Sequence, residues 1–534
     1  MISVNQIFKE KINYIFFLSL VLVFLELLLL PGSYVSFICR CIVLLIFLFC
    51  FLKKQYLTFS ILAIILEFFV VVDLVTKRMA DWYFYQIPLE IISICLDTNF
   101  DEIRSTFNFS KLEYYLIFLL ILNAVLFSYV FFQKIDVSKS WYKTGNKKSA
   151  VIFFILFSLF VLGFKPIRVT IKTLVLVAPE IVADYKKIEE RKSFSWGARS
   201  TDLNPITVVL FLGETHRGDH LQINGYGRET TPNLMTQNVI SFGNAISQAS
   251  YTLASTPMIL SRKNVNDKGI FPEKSLITAF KEAGYQTWYI SYLKQAHIGD
   301  NEINLIIKEA DHYVRAGVDS EILRQVLDDR SEKKLIVYKT IGAHFLYHDR
   351  YPKDFEFFVP SFDSESYRVP QPVEKDIVRL INSYDNAIRY SVDFQINSII
   401  ELLKQRQEQV VFCFVSDHGT AIFEDGKSLY GGSSPANYNI AWFYWFNEEY
   451  LKEKSHKKLV NFLKAHVNEK ITSEYIVDTL FDLSGIQTDK RKGYSLITEK
   501  LSQHPRRVLN GNTVVDYDKI FTKNKHEEGY LFTK

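Results

Sequence analysis

Five apolar runs occupy most of the first 164 residues, and no other feature limits the fold of this chain as strongly. They are roughly Ile12–Pro31, Tyr34–Leu52, Leu57–Thr76, Tyr114–Phe132 and Ser149–Phe164. A helix needs about 20 largely apolar residues to cross a bilayer core of about 30 Å, and these runs reach or approach that length. The charges inside them are few: Glu26 in the first, Arg40 in the second, Glu67 and Asp73 in the third. Such runs are hard to place in a water-soluble core, so the expectation is an α-helical transmembrane domain of five spans over 1–165. The first run is too long for a signal-peptide core and lacks a small-residue cleavage site, so it reads as retained.

Charge sets the orientation. Lys9 and Lys11 precede the first run, Lys53 and Lys54 fill the second connection, and Lys134, Lys139, Lys143, Lys147 and Lys148 fill the fourth. The positive-inside bias puts these segments and the N-terminus in the cytoplasm. An odd number of spans then carries everything after about Lys165 to the far side. The loop 77–113 falls on that side too, and its aromatics Trp82, Tyr83, Phe84 and Tyr85 suit a membrane interface. The formal net charge of +4, with no basic tract, gives no reason to expect nucleic acid as a partner.

Residues 166–204 carry the mixed run from Asp184 to Lys192 and read as a bridging helix or linker. From Ile206 onward, short apolar runs alternate with helical stretches, the pattern of a parallel sheet wrapped by helices. Candidate strands are 207–212, 286–291, 334–338 and 409–415; candidate helices are 272–283, 319–329, 371–404 and 456–468. The region 205–534 is therefore expected to be one α/β domain. Cys413 is its only cysteine, so no disulfide can form within it.

The chemistry collects at the ends of two of those strands. Glu214 follows the run Val208–Leu212, and Asp417-His418 follow the run Val410–Val415. Open α/β sheets bind ligands at the carboxyl ends of their strands. Two carboxylates, an imidazole and a hydroxyl from Ser250-Tyr251-Thr252 make a donor set that zinc accepts. Either Ser250 or Thr252 could supply the hydroxyl. Zinc bound to a hydroxyl lowers its pKa and turns it into a nucleophile near neutral pH. A helix starting just after Thr252 would aim backbone N–H groups at an anion.

Around these residues lie Gly213-Glu214-Thr215-His216-Arg217, the stretch Asn224-Gly225-Tyr226-Gly227-Arg228-Glu229-Thr230-Thr231-Pro232, and Ser416-Asp417-His418-Gly419. Ser255-Thr256-Pro257, Thr340-Ile341-Gly342-Ala343-His344 with Arg350-Tyr351-Pro352, and Asn382 to Ile388 complete the set. In this order the motifs resemble the phosphoethanolamine transferases of Gram-negative inner membranes, which join five spans to a periplasmic domain of the alkaline phosphatase and sulfatase superfamily. The resemblance implies a zinc site of Glu214, Thr252, Asp417 and His418, with Thr252 as nucleophile and Ser250 as its rival. It implies that His344 binds the donor head group or protonates the leaving oxygen. Asn99, Glu102, Lys294 and Tyr430 fall where the family contacts substrate, Tyr430 in place of a histidine. Thr420 stands where the family has Glu, and the disulfides of its lipid A-modifying members are absent.

The function so implied is transfer of phosphoethanolamine from phosphatidylethanolamine to lipopolysaccharide, lipid A or a related envelope glycan, through a covalent phospho-threonine intermediate. Membrane lipids are then partners. A phosphoglycerol transferase using phosphatidylglycerol is the nearest alternative, and a non-catalytic membrane scaffold comes from another class. A sulfatase fits less well, because no Cys/Ser-x-Pro-x-Arg element surrounds Thr252.

Overall fold

A computed structural model describes residues 183–521, except 203, 293–301, 319, 363–375, 423–433, 489–493, 503 and 512. The chain divides into two units, 1–180 and 181–534, and every described residue belongs to the second. The five apolar runs lie outside the described residues, as do Asn99, Glu102, Lys294 and Tyr430. Among the described residues no helix is long and apolar enough to cross a membrane.

Seven strands form the main sheet: β1 (Ile206–Gly213), β2 (Ile240–Ser241), β3 (Gln286–Ser291), β4 (His312–Arg315), β5 (Lys333–Lys339), β6 (Gln409–Ser416) and β7 (Trp442–Phe446). Their spatial order is β2-β7-β6-β1-β5-β3-β4. The five strands from β6 to β4 are parallel, while β7 and β2 extend the sheet antiparallel beyond β6. Every residue of β1 and β6 is buried, which explains their unbroken apolar sequences: a central parallel strand has no solvent face.

Alternation within these strands divides the core in two. Val208, Leu210 and Leu212 face one layer with Leu335, Val337, Val411 and Cys413. Val209 and Phe211 face the other with Ile336, Tyr338, Phe412 and Phe414. Period-two side-chain alternation thus serves both faces of one sheet. On the first face lie α2 (Thr252–Leu260) and α3 (Leu276–Glu282), preceded in the chain by α1 (183–193). On the second lie α4 (Ser320–Leu327), α5 (Ile377–Ile388) and α6 (Gln395–Leu403). Just beneath the sheet's active edge, aromatic rings stack across four strands. Tyr338 and Phe211 have centroids 5.1 Å apart, Phe211 and Phe414 5.7 Å, and Phe414 and Phe443 4.8 Å. Full burial of each such ring stabilises the fold by about 1.5–3 kcal/mol.

Three features differ from the sequence expectation. The helix expected over 371–404 begins at 377 among the described residues and contains a π-helical segment, Arg389–Phe394, between α5 and α6. The strands β2, β4 and β7 had no counterpart among the expected strands. Finally, part of the segment expected as a linker belongs to the domain itself. Arg191 of α1 makes a buried ion pair with Glu309, the Trp196 indole donates to Ser275 O at 3.0 Å, and Arg199–Ser200 pairs with Ile486–Gln487.

Candidate active site

Three neighbouring parallel strands deliver the charged residues of the site. In the order β5-β1-β6 their registers align Leu212 with Lys339 and Gly213 with Ser416. Glu214 and Asp417 therefore leave the sheet side by side, with His418 one residue further on. Thr252 opens α2, after Tyr251 in extended conformation. Its Oγ1 lies 3.2 Å from each Glu214 carboxylate oxygen, 2.9 Å from Asp417 Oδ2 and 3.2 Å from His418 Nε2. The potential ligand atoms of Glu214, Asp417 and His418 lie within 4.8 Å of one another, and all three side chains are buried. As the first residues of the helix, Thr252 and Leu253 carry N–H groups with no intrahelical acceptor, so they are available to an anion at this edge.

The backbone around these side chains is closely stitched. Thr215 adopts φ +64°, an uncommon conformation for a β-branched residue. There its N–H donates to Asp417 Oδ1 at 3.1 Å and its hydroxyl to Glu214 Oε1 at 2.9 Å. The Tyr384 hydroxyl donates to Thr215 O at 2.8 Å and accepts from Arg217 N at 2.9 Å, which fixes the turn from the α5 side. Gly419 follows His418 because an added Cβ would stand 2.1 Å from Ala436 O and 2.4 Å from Asn439 O. The loop after β5 is drawn in by Thr340 N to Leu212 O at 3.1 Å and Ala343 N to Glu214 O at 3.0 Å. That loop carries His344, which is half-buried. Ser250 is buried in the segment just ahead of α2.

Lys339, the last residue of β5, was not singled out in the sequence. Its Nζ lies 2.6 Å from Glu214 Oε2 and 2.9 Å from Asp417 Oδ2. Burial alone would raise the Glu214 carboxyl, yet Lys339 and His418 hold it well below the usual carboxylate range. Asp417 is raised, by burial first and by the negative charge of Glu214 second. Burial would lower His418 and Lys339, but the two carboxylates outweigh it and raise both. His216, buried with Nε2 2.9 Å from Ser391 Oγ in the π-helical segment, is lowered to about 3 by burial and stays neutral. Two carboxylates, one imidazole and one hydroxyl converge here with a single ammonium. This donor set suits a divalent cation that takes O and N ligands.

The dense motif at 224–232 does different work. Asp385 of α5, fully buried, accepts from His220 Nδ1 at 2.7 Å, Tyr226 Oη at 3.0 Å and Arg228 Nη1 at 2.5 Å. Arg228 Nη2 reaches Asn382 Oδ1 at 2.6 Å, and the Thr230 hydroxyl donates to His220 O at 2.7 Å. These polar residues latch the loop after β1 onto α5. Their density reflects the need to pair every buried polar group.

Fold and site together define the class. The sulfatase family model matches residues 206–486, more than half of the chain, and the chain belongs to that family. Its relatives include phosphoethanolamine transferase EptC of Escherichia coli K12, 25% identical over 346 residues, covering 59% of this chain and 58% of EptC. The match thus spans less than two thirds of that relative's length. The crystallised C-terminal periplasmic domain of E. coli EptC in complex with zinc superposes with a TM-score of 0.53 at 22% identity, over 62% of this chain and 99% of that domain. The integral membrane protein lipooligosaccharide phosphoethanolamine transferase A of Neisseria meningitidis gives a TM-score of 0.60 at 18% identity, over 91% of this chain and 95% of its own.

Proposed function

We propose that this protein transfers phosphoethanolamine from phosphatidylethanolamine to an envelope glycan such as lipopolysaccharide or lipid A, with Thr252 as the covalent nucleophile. The observation that carries the reading is the Thr252 hydroxyl, 3.2 Å or less from Glu214, Asp417 and His418 at the carboxyl edge of the sheet. Relatives named phosphoethanolamine transferases support the donor group, and the zinc complex of the EptC domain supports the metal.

Glu214, Thr252, Asp417 and His418 are the residues that would hold zinc. Zinc in such a site acts as a Lewis acid, lowering the pKa of a bound hydroxyl and polarising a phosphoryl oxygen. The chain's own groups do the rest. Thr252 Oγ1 gives up its proton to solvent and forms a bond to phosphorus as the bond from phosphorus to the diacylglycerol oxygen breaks. The first-turn N–H groups of α2 face the phosphoryl oxygens, and His344 protonates the departing oxygen. In the second step an acceptor hydroxyl or phosphate oxygen bonds to phosphorus as the bond from phosphorus to Thr252 Oγ1 breaks; Thr252 regains a proton from solvent, and His344 is reprotonated by the acceptor hydroxyl or by solvent. The burial of Glu214, Asp417 and His418 keeps competing water out of the charged cluster.

We further place residues 1–165 in the inner membrane as five spans with the N-terminus in the cytoplasm. The catalytic domain, from about 205 onward, lies in the periplasm. Likeness over nearly the whole chain to an integral membrane protein supports this arrangement. A phosphatase reporter fused after Lys165 is active only on the periplasmic side, and a cytoplasmic signal there refutes the topology.

The decisive experiment is mass spectrometry of the Thr252 peptide after purified, zinc-loaded protein meets phosphatidylethanolamine. An adduct of phosphoethanolamine mass on Thr252 is expected, and Thr252→Ala abolishes both adduct and transfer. An adduct on Ser250 moves the nucleophile. Labelling only by phosphatidylglycerol changes the donor, and silence with both lipids favours a non-catalytic scaffold.

A further inference from the structure

The metal reading leaves one buried charge without a role. Lys339 is 1% exposed, and β5 delivers it to the two carboxylates. An ammonium has three protons to donate. Here three acceptors surround it: Glu214 Oε2 at 2.6 Å, Asp417 Oδ2 at 2.9 Å and Gly213 O at 3.2 Å. Its donors are therefore engaged by the site itself, which makes it a counter-ion to the carboxylates.

The oxygens of Glu214 are divided between two sides. Oε2 faces Lys339, whereas Oε1 faces His418 Nε2 at 3.3 Å and accepts from the Thr215 hydroxyl at 2.9 Å. His418 thus marks the side a divalent ion would take, Thr252 Oγ1 stands 3.2 Å from both Glu214 oxygens, and the β5 side is filled by the ammonium. Phosphoryl-transfer sites with two metals hold them about 3.5–4 Å apart between shared ligands. In this chain the position beside both carboxylates is held by a side chain whose place is set by strand register, Leu212 opposite Lys339.

We propose that Lys339 is a fixed cation of the metal site, standing where a second ion would contact Glu214 and Asp417. It limits these residues to one divalent ion and sets how tightly that ion is held. The proposal rests on the metal reading given above. Lys339 is a positioning residue: it orders the carboxylates and repels the incoming ion, and it does not touch the substrate.

The test uses the full chain in detergent as wild type, Lys339→Met and Lys339→Arg, with Zn2+ alone as the probe. Bound metal is counted by plasma mass spectrometry, affinity is read by competition with a chromophoric chelator, and melting is followed with and without EDTA. Wild type is expected to take one zinc per chain at this site in excess Zn2+, a count lost in Glu214→Ala. Lys339→Met should melt lower in EDTA yet bind zinc about tenfold or more tightly, because a like charge has left the site. Lys339→Arg keeps the charge and should bind zinc as wild type does.

Two zinc ions lost together from Glu214→Ala overturn the proposal, as does unchanged or weaker zinc affinity in Lys339→Met. If Lys339→Met fails to fold, the wild-type count decides. Zinc bound to the wild type but indifferent to Lys339 removes only the role of the lysine. Absence of zinc from every protein removes the metal reading and this proposal together.

Discussion

The backbone at Gly342 sets the position of Glu214, and adding one methyl group there tests the site's construction. Gly342 has φ +46°, and a Cβ on it would stand 2.3 Å from His216 Cε1 and 2.7 Å from Glu214 O. Neither neighbour yields readily. His216 is fully buried and held by Ser391, while Glu214 O already accepts from Ala343 N at 3.0 Å. The left-handed conformation costs an alanine about 1–2 kcal/mol. Overpacking against a fixed ring and a carbonyl costs about 1–3 kcal/mol more. Gly342→Ala should therefore lose about 2–5 kcal/mol, read as a shift in urea midpoint followed by tryptophan fluorescence. Any accommodation displaces Glu214, and a reacting group misplaced by about 1 Å can cost about 100-fold in rate, so the proposed phosphoethanolamine transfer should fall further than stability alone explains. Gly227→Ala is the control, because nothing lies within 4 Å of its added Cβ. If Gly342→Ala matches Gly227→Ala in both midpoint and turnover, the loop does not position Glu214 and the reasoning is wrong.

Other expectations follow from the same geometry. Asp385→Ala leaves Arg228 and His220 without their shared buried partner and should cost about 3–5 kcal/mol in urea unfolding; a change under about 1 kcal/mol would show that the latch is not stabilising. Asp518, hydrogen-bonded by Arg506, is lowered from 3.8 to about 2. A lowered carboxyl stabilises the fold above its unfolded value, and that contribution is lost as pH falls from near 4 through about 2. Asp518→Asn should therefore flatten the acid limb of melting temperature against pH in that window, and an unchanged limb refutes the assignment. Burial pushes the Cys413 thiol up to about 12. With Cys39, Cys41, Cys50 and Cys95 changed to Ser, a thiol reagent should label the native protein negligibly and the unfolded protein fully; rapid native labelling contradicts the buried strand.

Much of the α/β domain was legible along the chain because its central strands are buried on both faces. The apolar runs expected as strands at 207–212, 286–291, 334–338 and 409–415 match β1, β3, β5 and β6 to within a residue or so at each end. Antiparallel β7 was missed although all five of its residues are buried. Its run Trp442-Phe443-Tyr444-Trp445-Phe446 is aromatic throughout, and neither periodicity nor a nearby motif marked it as the neighbour of β6. The loop motif at 224–232 was visible as a cluster, but its partner Asp385 is more than 150 residues away, and only the tertiary contact separates a structural latch from chemistry.

What the sequence determined by itself was the placement of Glu214, Asp417 and His418 at strand ends, since a residue just after a buried parallel strand must emerge at the carboxyl edge of the sheet. It also marked the five apolar runs, because hydrocarbon length is a local property. The tertiary structure decided which strand ends are neighbours. The order β5-β1-β6 and its register bring Lys339 against Glu214 and Asp417, and the left-handed turn at Thr215 aims an amide at Asp417. In one dimension Lys339 reads as an ordinary strand-end lysine. Its meaning comes from hydrogen bonds between strands more than a hundred residues apart, and strand order and register of that kind leave no trace in local composition.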